Sequence, residues 1–378
     1  MAKLGEVCTI VSGSTPKTSV TSYWDGNIKW ITPAELNEDT FYIMDSVRHI
    51  TEEGKEKTGL SYLPTGTVIL SSRAPIGKTA IAGCKMCCNQ GFKNLICSDA
   101  IYNEYLYFFL KSKTDYLNSL GRGATFKEIS KSIVENIEIP LPEVNQQKEI
   151  AEKFKKLEQL ISLRKQQLAK LDELVKARFV EMFGDPVKNT MNWEIKPLSE
   201  LGELNRGVSK ARPRNSPELL GGPYPLIQTG EVANAKTYIT SFNSTYSEKG
   251  LAQSKMWPKG TLCITIAANI AQTSILTFDA CFPDSVVGFI SRNMTNELFI
   301  HYWFSFFQKI LDEQAPQVAQ KNINLKILSE LNVIVPPLSL QNRFAAFVER
   351  VDQQKQTIQQ SLEKLELMKK ALMQEYFG

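Results

Sequence analysis

The sequence predicts a mixed α/β (α+β) fold in tandem duplication, with two long helices that form an intramolecular antiparallel coiled coil and with pseudo-two-fold symmetry. Three observations predict it. Apolar residues follow a heptad pattern in one stretch, the pattern recurs 194 residues later (Ile150 to Phe344), and short apolar runs alternate with turn residues in each half.

The first heptad stretch runs from Asn145 to Gly184, and its copy runs from Ser339 to Gly378 without an insertion or deletion. Steps of four and three residues between apolar positions are typical of a coiled-coil seam. A lone amphipathic rod needs a partner, and the chain returns through a second globular half, so we expect the two helices to pair antiparallel. The apolar seam positions are Ile150, Phe154, Leu157, Ile161, Leu168, Leu171, Val175, Phe344, Val348, Val351, Ile358, Leu362, Leu365 and Leu372.

Four seam positions carry a cation, namely Arg164, Arg178, Lys355 and Lys369. They either fix the register of the helices or extend their charged ends to solvent along the seam edge. The helix ends are predicted from capping residues, with Asn145 and Ser339 as N-caps and a glycine at each C-terminus.

The duplication extends beyond the helices. Leu4-Gly5-Glu6 returns as Leu201-Gly202-Glu203, and an aromatic segment at 105–110 returns at 299–304. A period of about half the chain indicates duplication of a whole globular-domain-plus-helix unit. The predicted segments are a first globular domain at 1–143, a first long helix at 144–184, a linker at 185–196, a second globular domain at 197–337 and a second long helix at 338–378.

Within the first globular domain, turn residues bound the short apolar runs that we predict as strands. The stretch Asn103 to Leu120 is predicted as one helix because its leucines share a face. Successive prolines at Pro140 and Pro142 end the domain. The predicted strands are Val7 to Val11, Asn27 to Ile31, Thr67 to Leu70, Lys78 to Ala82 and Ile137 to Ile139.

Composition narrows the class of protein. A hydrophobic content of 43% with 10% aromatic residues is typical of folded domains. No apolar run of about 18 residues or signal-peptide pattern occurs, so we expect a cytoplasmic protein without a membrane partner. Seven cysteines favour free thiols in a reducing compartment, and a net charge of +4 permits a polyanionic partner.

Two motifs that suggest chemistry are incomplete. The run from Ser72 to Thr79 imitates a nucleotide-binding P-loop, but it begins with serine and continues into a predicted strand. Cys84 and Cys87 form one CxxC pair, without a second pair or a nearby histidine. We therefore predict no catalytic residue and no metal ligand on this chain.

Three stretches carry a resemblance to a known family: Gly13 to Lys17, Tyr23 to Thr32, and Ile137 to Gln147. They resemble the specificity (S) subunit of Type I restriction-modification systems over essentially the whole chain. The second half departs from the pattern because it has no Tyr-Trp-Asp-Gly stretch.

The resemblance implies that each globular half is a target-recognition domain that reads one half of a bipartite sequence in double-stranded DNA. It also implies that the long helices set the spacer length and dock two methyltransferase (M) subunits. S-adenosylmethionine would be bound by the M subunits, and ATP and Mg by the restriction (R) subunits, with no cofactor on this chain. The chain lacks the Asn/Asp-Pro-Pro-Tyr/Phe loop of adenine methyltransferases. It would thus be non-catalytic but required for the adenine methyltransferase and endonuclease activities of the complex.

Candidate DNA-binding residues lie in polar, turn-like stretches, because base edges and phosphates are contacted mainly by Arg, Lys, Asn and Gln. The segments 121–127 and 317–322 occupy the same place in the repeat, which favours both. The candidates are Lys17, Arg73, Lys78, Lys93, Arg122, Lys127, Lys210, Arg212, Arg214, Asn269, Gln272, Gln320, Lys321 and Asn322.

Two other functions remain open from the sequence. One is a non-enzymatic coiled-coil adaptor with two protein-binding ends, and the other is a nucleotide-driven enzyme that uses the loop from Ser72 to Thr79. The divergence of loops between the two halves favours readers of two different half-sites over an adaptor with equivalent ends.

Overall fold

The computed structural model describes residues 1–37, 39–73, 75–123, 127–267, 270–306 and 323–378. The chain divides into two compact units, Met1–Lys165 with Gln360–Gly378, and Gln166–Gln359. Each unit therefore contains one globular half and parts of both long helices.

The first globular half contains a five-stranded sheet in the order β2-β9-β6-β7-β4, a three-stranded sheet in the order β5-β3-β8, and the pair β1-β10. Neighbours in the larger sheet are antiparallel except β4 and β7. The strands are β1 Ala2–Lys3, β2 Cys8–Ser12, β3 Trp24–Ile31, β4 Tyr42–Ile43, β5 Arg48–Ile50, β6 Val68–Ser71, β7 Thr79–Ala82, β8 Cys87–Cys88, β9 Phe92–Cys97 and β10 Glu138–Ile139.

The helices of this half, in chain order, are α1 Leu4–Val7, α2 Glu52–Thr58, α3 Asn103–Ser112, α4 Thr114–Leu120, α5 Lys131–Glu135 and the long helix α6 Val144–Phe183. Helices α3 and α5 pack against the five-stranded sheet, and α2 packs against the smaller sheet at β3. Short 3₁₀ turns span Thr21–Tyr23 and Pro33–Glu35. The aromatic segment of α3 is fully buried, and it packs in one cluster with Ile150 and Phe154 of α6. The start of the long helix is thus part of the domain core.

The second globular half repeats this topology, with a five-stranded sheet in the order β12-β20-β17-β18-β14. A four-stranded sheet, β15-β13-β19-β16, and the pair β11-β21 complete it. The strands are β11 Glu194–Pro197, β12 Gly202–Arg206, β13 Leu220–Leu226, β14 Tyr238–Ile239, β15 Ser244–Tyr246, β16 Met256–Trp257, β17 Leu262–Thr265, β18 Thr273–Leu276, β19 Ala280–Cys281, β20 Val286–Ser291 and β21 Asn332–Val335.

The helices of this half, in chain order, are α7 Leu198–Leu201, α8 Thr229–Asn234, α9 Glu248–Ala252, α10 Glu297–Phe304, α11 Leu325–Glu330 and the second long helix α12 Leu338–Phe377, with a 3₁₀ turn at Pro217–Leu219. The same strand order in both halves confirms the predicted tandem α/β duplication. Among the helices of the described residues, none is long and apolar enough to cross a membrane.

The long helices pack antiparallel within each unit, as predicted. In the first unit, Phe154 stacks on Phe377 with ring centroids 5.6 Å apart, and Lys369 Nζ donates to Glu158 at 2.8 Å. The position on α12 falls as the position on α6 rises, which defines the antiparallel direction. Every predicted apolar seam position is buried or half-buried.

The second unit shows the same direction of pairing. Phe179 lies edge-on to Phe344 at 5.4 Å, and Lys355 Nζ lies 2.7 Å from Asp172 Oδ1. Lys355 and Lys369 thus each form an ion pair with an acid on the opposite helix. These pairs cross the helix interface at seam positions.

Three local expectations were wrong. The predicted single helix from Asn103 to Leu120 is broken at Lys113, where the side chains of Ser112 and Thr114 bond to the carbonyls of Phe109 and Lys111 and compete with the helix ladder. Residues 4–7 form a helical turn, so the first predicted strand begins later, at Cys8. The long helices begin at Val144 and Leu338, which puts the predicted N-cap residues inside the first turn.

Candidate nucleic-acid interface

In the first globular half, four predicted DNA contacts gather at one end of the five-stranded sheet. Strands β2 and β6 end there and β7 and β9 begin there, because these neighbours run antiparallel and Ser12 pairs with Lys93. Lys17 follows β2, Arg73 and Lys78 lie between β6 and β7, and Lys93 is the second residue of β9. The fold thus joins residues that are up to 76 positions apart (17 to 93).

Glu128, which the sequence pattern did not single out, connects several of these residues. Its carboxylate accepts from Arg73 Nε at 2.9 Å and from Lys93 Nζ at 3.1 Å. Its backbone exchanges two hydrogen bonds with Arg122. Glu128 therefore connects Arg122 and its own backbone to the sheet end.

The pKa of Glu128 reports this arrangement. Partial burial on its own would raise the pKa, but the hydrogen bonds and charges of Lys93 and Arg73 outweigh burial and hold it below its ordinary value. The carboxylate is therefore charged at neutral pH and neutralises part of the basic surface.

Two of the predicted contacts have structural partners. Lys93 is only 6% exposed, and besides Glu128 it reaches Ser72 Oγ at 3.4 Å. Lys78 Nζ donates to the carbonyls of Pro33 at 3.2 Å and Leu36 at 2.6 Å. Both lysines therefore hold neighbouring loops, and their role as DNA contacts stays a prediction. Lys17, Arg73, Arg122 and Lys127 are exposed and remain the available cations of this surface.

The P-loop-like run is a connection between two strands. Thr79 opens β7, as the sequence predicted, and no helix follows it. Because Lys78 is bound to two backbone carbonyls, it does not project toward a phosphate site.

All seven cysteines are free, and across the residues that the structure describes no cluster of His, Cys, Asp and Glu is arranged to hold a metal ion.

The tryptophans of the Tyr-Trp-Asp-Gly stretch position the loop that carries Lys17. Trp24 Nε1 donates to Lys17 O at 3.2 Å, and Trp30 Nε1 donates to Ser14 O at 3.0 Å. Both rings are buried, and the guanidinium of Arg48 lies 3.6 Å from the centroid of Trp24. They act as packing residues that hold a loop.

The second half keeps the backbone of this stretch without its sequence. Asp25 has a φ of +59°, and its counterpart Gly221 has a φ of +80°. Gly26 and Gly222 both lie so close to the neighbouring strand that a Cβ would come within 2.6 Å of backbone atoms. The missing motif is therefore a difference of side chains on the same backbone.

The second sheet end carries its own set of polar residues. Lys210, Arg212 and Arg214 follow β12, and Gln272 lies just before β18. All four are exposed. They occupy the same end of the sheet as the candidates of the first half, because the strand order is the same.

Asp284 organises this surface as Glu128 does in the first half. Arg214 Nη2 donates to Asp284 Oδ1 at 2.6 Å, and Arg206 Nε donates to the Asp284 carbonyl at 2.9 Å. Arg212 is held by the carbonyls of Ser209 and Ala211, both at 2.8 Å. Asp284 and Arg206 were not predicted, because only the sheet pairing brings them beside Arg214.

The remaining candidates, Asn269, Gln320, Lys321 and Asn322, lie outside the described residues, as do positions 124–126 between Arg122 and Lys127. The expected equivalence of 121–127 with 317–322 remains a prediction.

A family profile described as the Type I restriction modification DNA specificity domain matches residues 1–173 and 191–367, and so covers both repeats. The chain belongs to the Type I restriction-modification DNA specificity family. Both sheet-end surfaces lie inside the matched ranges, as do most of the two long helices.

Characterised members of the specificity family align with parts of the chain. The MjaIX specificity subunit of Methanocaldococcus jannaschii is 36% identical over 223 residues, which span 54% of this chain and 52% of that protein. The EcoR124I/EcoR124II specificity subunit of Escherichia coli is 26% identical over 164 residues, 42% of this chain and 40% of that protein. The chain thus spans about half the length, or less, of these relatives.

Solved structures extend the likeness of fold to the whole chain. A chain from a structural study of assembly and conformational transition of the type I R-M system aligns with a TM-score of 0.64 at 18% identity, covering 100% of this chain and 96% of the other. The crystal structure of the Type I S subunit from M. genitalium aligns with a TM-score of 0.59 at 16% identity, covering 100% and 95%.

Proposed function

We propose that this chain is the DNA sequence-recognition subunit of a Type I restriction-modification complex and that each globular half reads one half of a bipartite target. The observation that carries the proposal is the family match in both repeats, combined with diverged polar loops at the same sheet end of each repeat. The two surfaces share a backbone design but differ in their side chains, which suits two different half-sites. An adaptor with two equivalent ends would not require such different side chains.

The division of labour at each surface follows from the contacts. Exposed cations such as Arg122, Lys127 and Lys210 are suited to phosphates and guanine edges. The carboxylates of Glu128 and Asp284 orient arginines and are charged acceptors of the kind that pairs with a cytosine amino group. Arg73 and Arg214 are thereby held in fixed directions, which direct readout of bases requires.

The long helices supply the second part of the proposal, which is a spacer of set length and a dock for two M subunits. Their outer faces carry exposed apolar side chains, among them Leu163 and Leu367 in the first unit and Leu174 and Val180 in the second. Apolar side chains that are exposed to solvent are candidates for a protein interface. On this proposal S-adenosylmethionine binds to M, ATP and Mg bind to R, and the complex acts in the cytoplasm.

Methylation mapping tests the function. The chain is co-expressed with its cognate M subunit in cells without other adenine methyltransferases, and the methylated sites are read by long-read sequencing. We expect one bipartite motif with a constant spacer, and methylation that is lost when this chain is omitted.

Methyl transfer by the purified chain alone would contradict the proposal. Methylation of the same sites by M with and without this chain would contradict it as well. A motif with only one specific half would contradict the assignment of a reader to each repeat.

A further inference from the structure

A cleft of about 610 Å³ lies within the first compact unit, between the β6–β7 loop, the α3–α4 turn and parts of both long helices. Pro75, Ile76 and Met373 form apolar parts of its wall. Lysines dominate its polar lining, and they are Lys78, Lys111, Lys165, Lys369 and Lys370.

Acidic residues offset only part of this charge. Glu366 lines the cleft and lies 3.7 Å from Lys165, and Glu158 accepts from both Lys111 and Lys369. Five lysines and two glutamates leave a net charge of three positive around one concave surface. Lys165 and Lys370 are exposed to solvent, so their ammonium groups are available to a ligand.

The duplication provides an internal comparison. At an offset of 194 for α6 and the globular half, Lys78, Lys111 and Lys165 correspond to Gln272, Ser305 and Gln359. The same offset relates the end of α12 to the end of α6, so Lys369 corresponds to Val175 and Lys370 to Lys176.

One of the five lysines is thus retained in a unit that folds with the same topology. Folding therefore does not require this lysine set. Closely placed like charges also lower stability, so a function is the better explanation for the presence of these five lysines.

The cleft is continuous with the candidate DNA surface. The single loop between β6 and β7 places Arg73 beside Glu128 at the sheet end, and four residues of the same loop, Pro75 to Lys78, line the cleft. A ligand that lies against Arg73 and extends along this loop reaches the lysines next.

We propose that this cleft binds backbone phosphates of duplex DNA beside the half-site that the first globular half reads. The inference rests on the proposed function and adds a phosphate contact outside the sheet-end loops. The exposed ammonium groups of Lys165 and Lys370 suit the repeated, sequence-independent charge of a DNA strand, because each acts as a point charge and displaces a counterion. Lys78, Lys111 and Lys369 are bound to protein acceptors and contribute charge to the cleft.

The test uses the chain in complex with its M subunits and a duplex that carries the mapped target. Lys165→Gln with Lys370→Gln is compared with a control pair of equal charge change, Lys170→Gln with Lys188→Gln, both exposed in the other unit. The dissociation constant is measured between 50 and 300 mM salt, and thermal unfolding checks that each variant is folded.

For the cleft pair, we expect the negative slope of log K against log salt to become less steep by roughly 1.8, which corresponds to two lost phosphate contacts at about 0.9 each. The affinity near 150 mM salt should fall roughly tenfold or more. The methylated motif stays the same, because phosphate contacts carry no base information. The control pair is expected to leave both slope and affinity close to wild type.

Equal slopes and affinities for the cleft pair and wild type would overturn the inference, and so would a loss of the same size in the control pair. Altered binding of ATP or pyrophosphate with an unchanged DNA slope would overturn it in favour of a small anion. Failure of the proposed function looks different, since the wild-type complex itself would then show no preference for the mapped duplex.

Discussion

Gln147 and Gln341 hold the same position in the two repeats and do the same work. Each amide is fully buried in the first turn of a long helix. Gln147 accepts from Tyr102 N at 2.8 Å and donates to the carbonyls of Ala100 and Pro142, at 3.0 and 2.8 Å. It thereby joins the start of α6 to the loop before α3 and to the proline-rich turn.

The second repeat shows the same clamp with other partners. Gln341 accepts from Thr295 Oγ1 at 2.9 Å and donates to the carbonyls of Met294 and Pro336, at 3.0 and 2.8 Å. The sequence shows a glutamine at the start of each helix, but its role appears only in the structure, because all its partners except the nearby proline carbonyl lie about 45 residues away.

Replacing Gln147 by leucine is expected to lower the free energy of unfolding by roughly 1–3 kcal/mol, because one backbone N–H and two carbonyls lose their hydrogen bonds to a buried amide. Denaturant unfolding of the full chain measures this. The neighbouring substitution Gln146→Leu is the control, since Gln146 is exposed and its loss is expected to cost less than about 0.5 kcal/mol. Equal stability of the two variants would show that the clamp contributes nothing.

At the scale of single elements, the heptad pattern predicts the paired helices well in their middle and less well at their ends. The last seam residue that the sequence predicts on α6 is Arg178, yet the fully buried side chains there are Phe179 and Phe183. Phe183 packs on Phe299 of α10, at 4.9 Å between centroids. The helix end thus faces a globular core as well as its partner helix, and the face it buries is rotated by one residue.

Two of the four seam cations, Lys355 and Lys369, pair with acids on the opposite helix. Lys355 has 13% of its side chain exposed and contacts Asp172 and Asp352, at 2.7 and 3.3 Å. Burial raises the pKa of Asp352, and the charge of Lys355 counteracts this effect. A charge in this position favours the register that provides its partners.

Lys355→Ala is expected to destabilise the protein by roughly 2–4 kcal/mol at pH 7, because Asp352 loses its cation and lies near the charge of Asp172, which retains the exposed Lys236 at 3.6 Å. The pKa of Asp352 should rise further, so the native state binds a proton more readily than the unfolded chain does. The loss of stability relative to wild type should therefore shrink as the pH falls from 7 to 5.

Thermal unfolding at both pH values checks this expectation. Gln354→Ala, an exposed change on the same helix, serves as the control and should show no such pH dependence. A Lys355→Ala deficit that stays constant or grows as the pH falls would contradict the explanation.

At the scale of the whole molecule, the last turn of α12 packs against the first globular half. Phe377 packs against Tyr105, Phe109 and Phe154, with centroids 5.3 to 5.8 Å apart. The C-terminal turn of α12 is therefore part of the core of the first compact unit.

The proposed ruler can be tested by inserting seven residues into each long helix at the boundary between the compact units, after Lys165 and after Gln359. Matched heptads preserve the seam and add about 10 Å of helix, which corresponds to about three base pairs at 3.4 Å per step. Methylation mapping is expected to show the same two half-sites with a longer spacer. An unchanged spacer would refute the ruler, and a heptad in one helix alone should reduce folding by breaking the pairing.

The sequence by itself determined the duplication, the α/β class of each half, the two long helices and their antiparallel partnership, because periodicity and repetition are local properties that can be counted along a chain. Its predicted segment boundaries stay a prediction, as do the DNA contacts.

Only the tertiary structure decided which polar residues share a surface. Glu128 and Asp284 accept hydrogen bonds from arginines, and Lys78 and Lys93 donate to acceptors in neighbouring loops. These contacts exist because strand pairing brings distant residues within hydrogen-bonding distance. The lysine cleft depends on the same fact, since residues from five separate stretches line it and no pattern along the chain records their proximity.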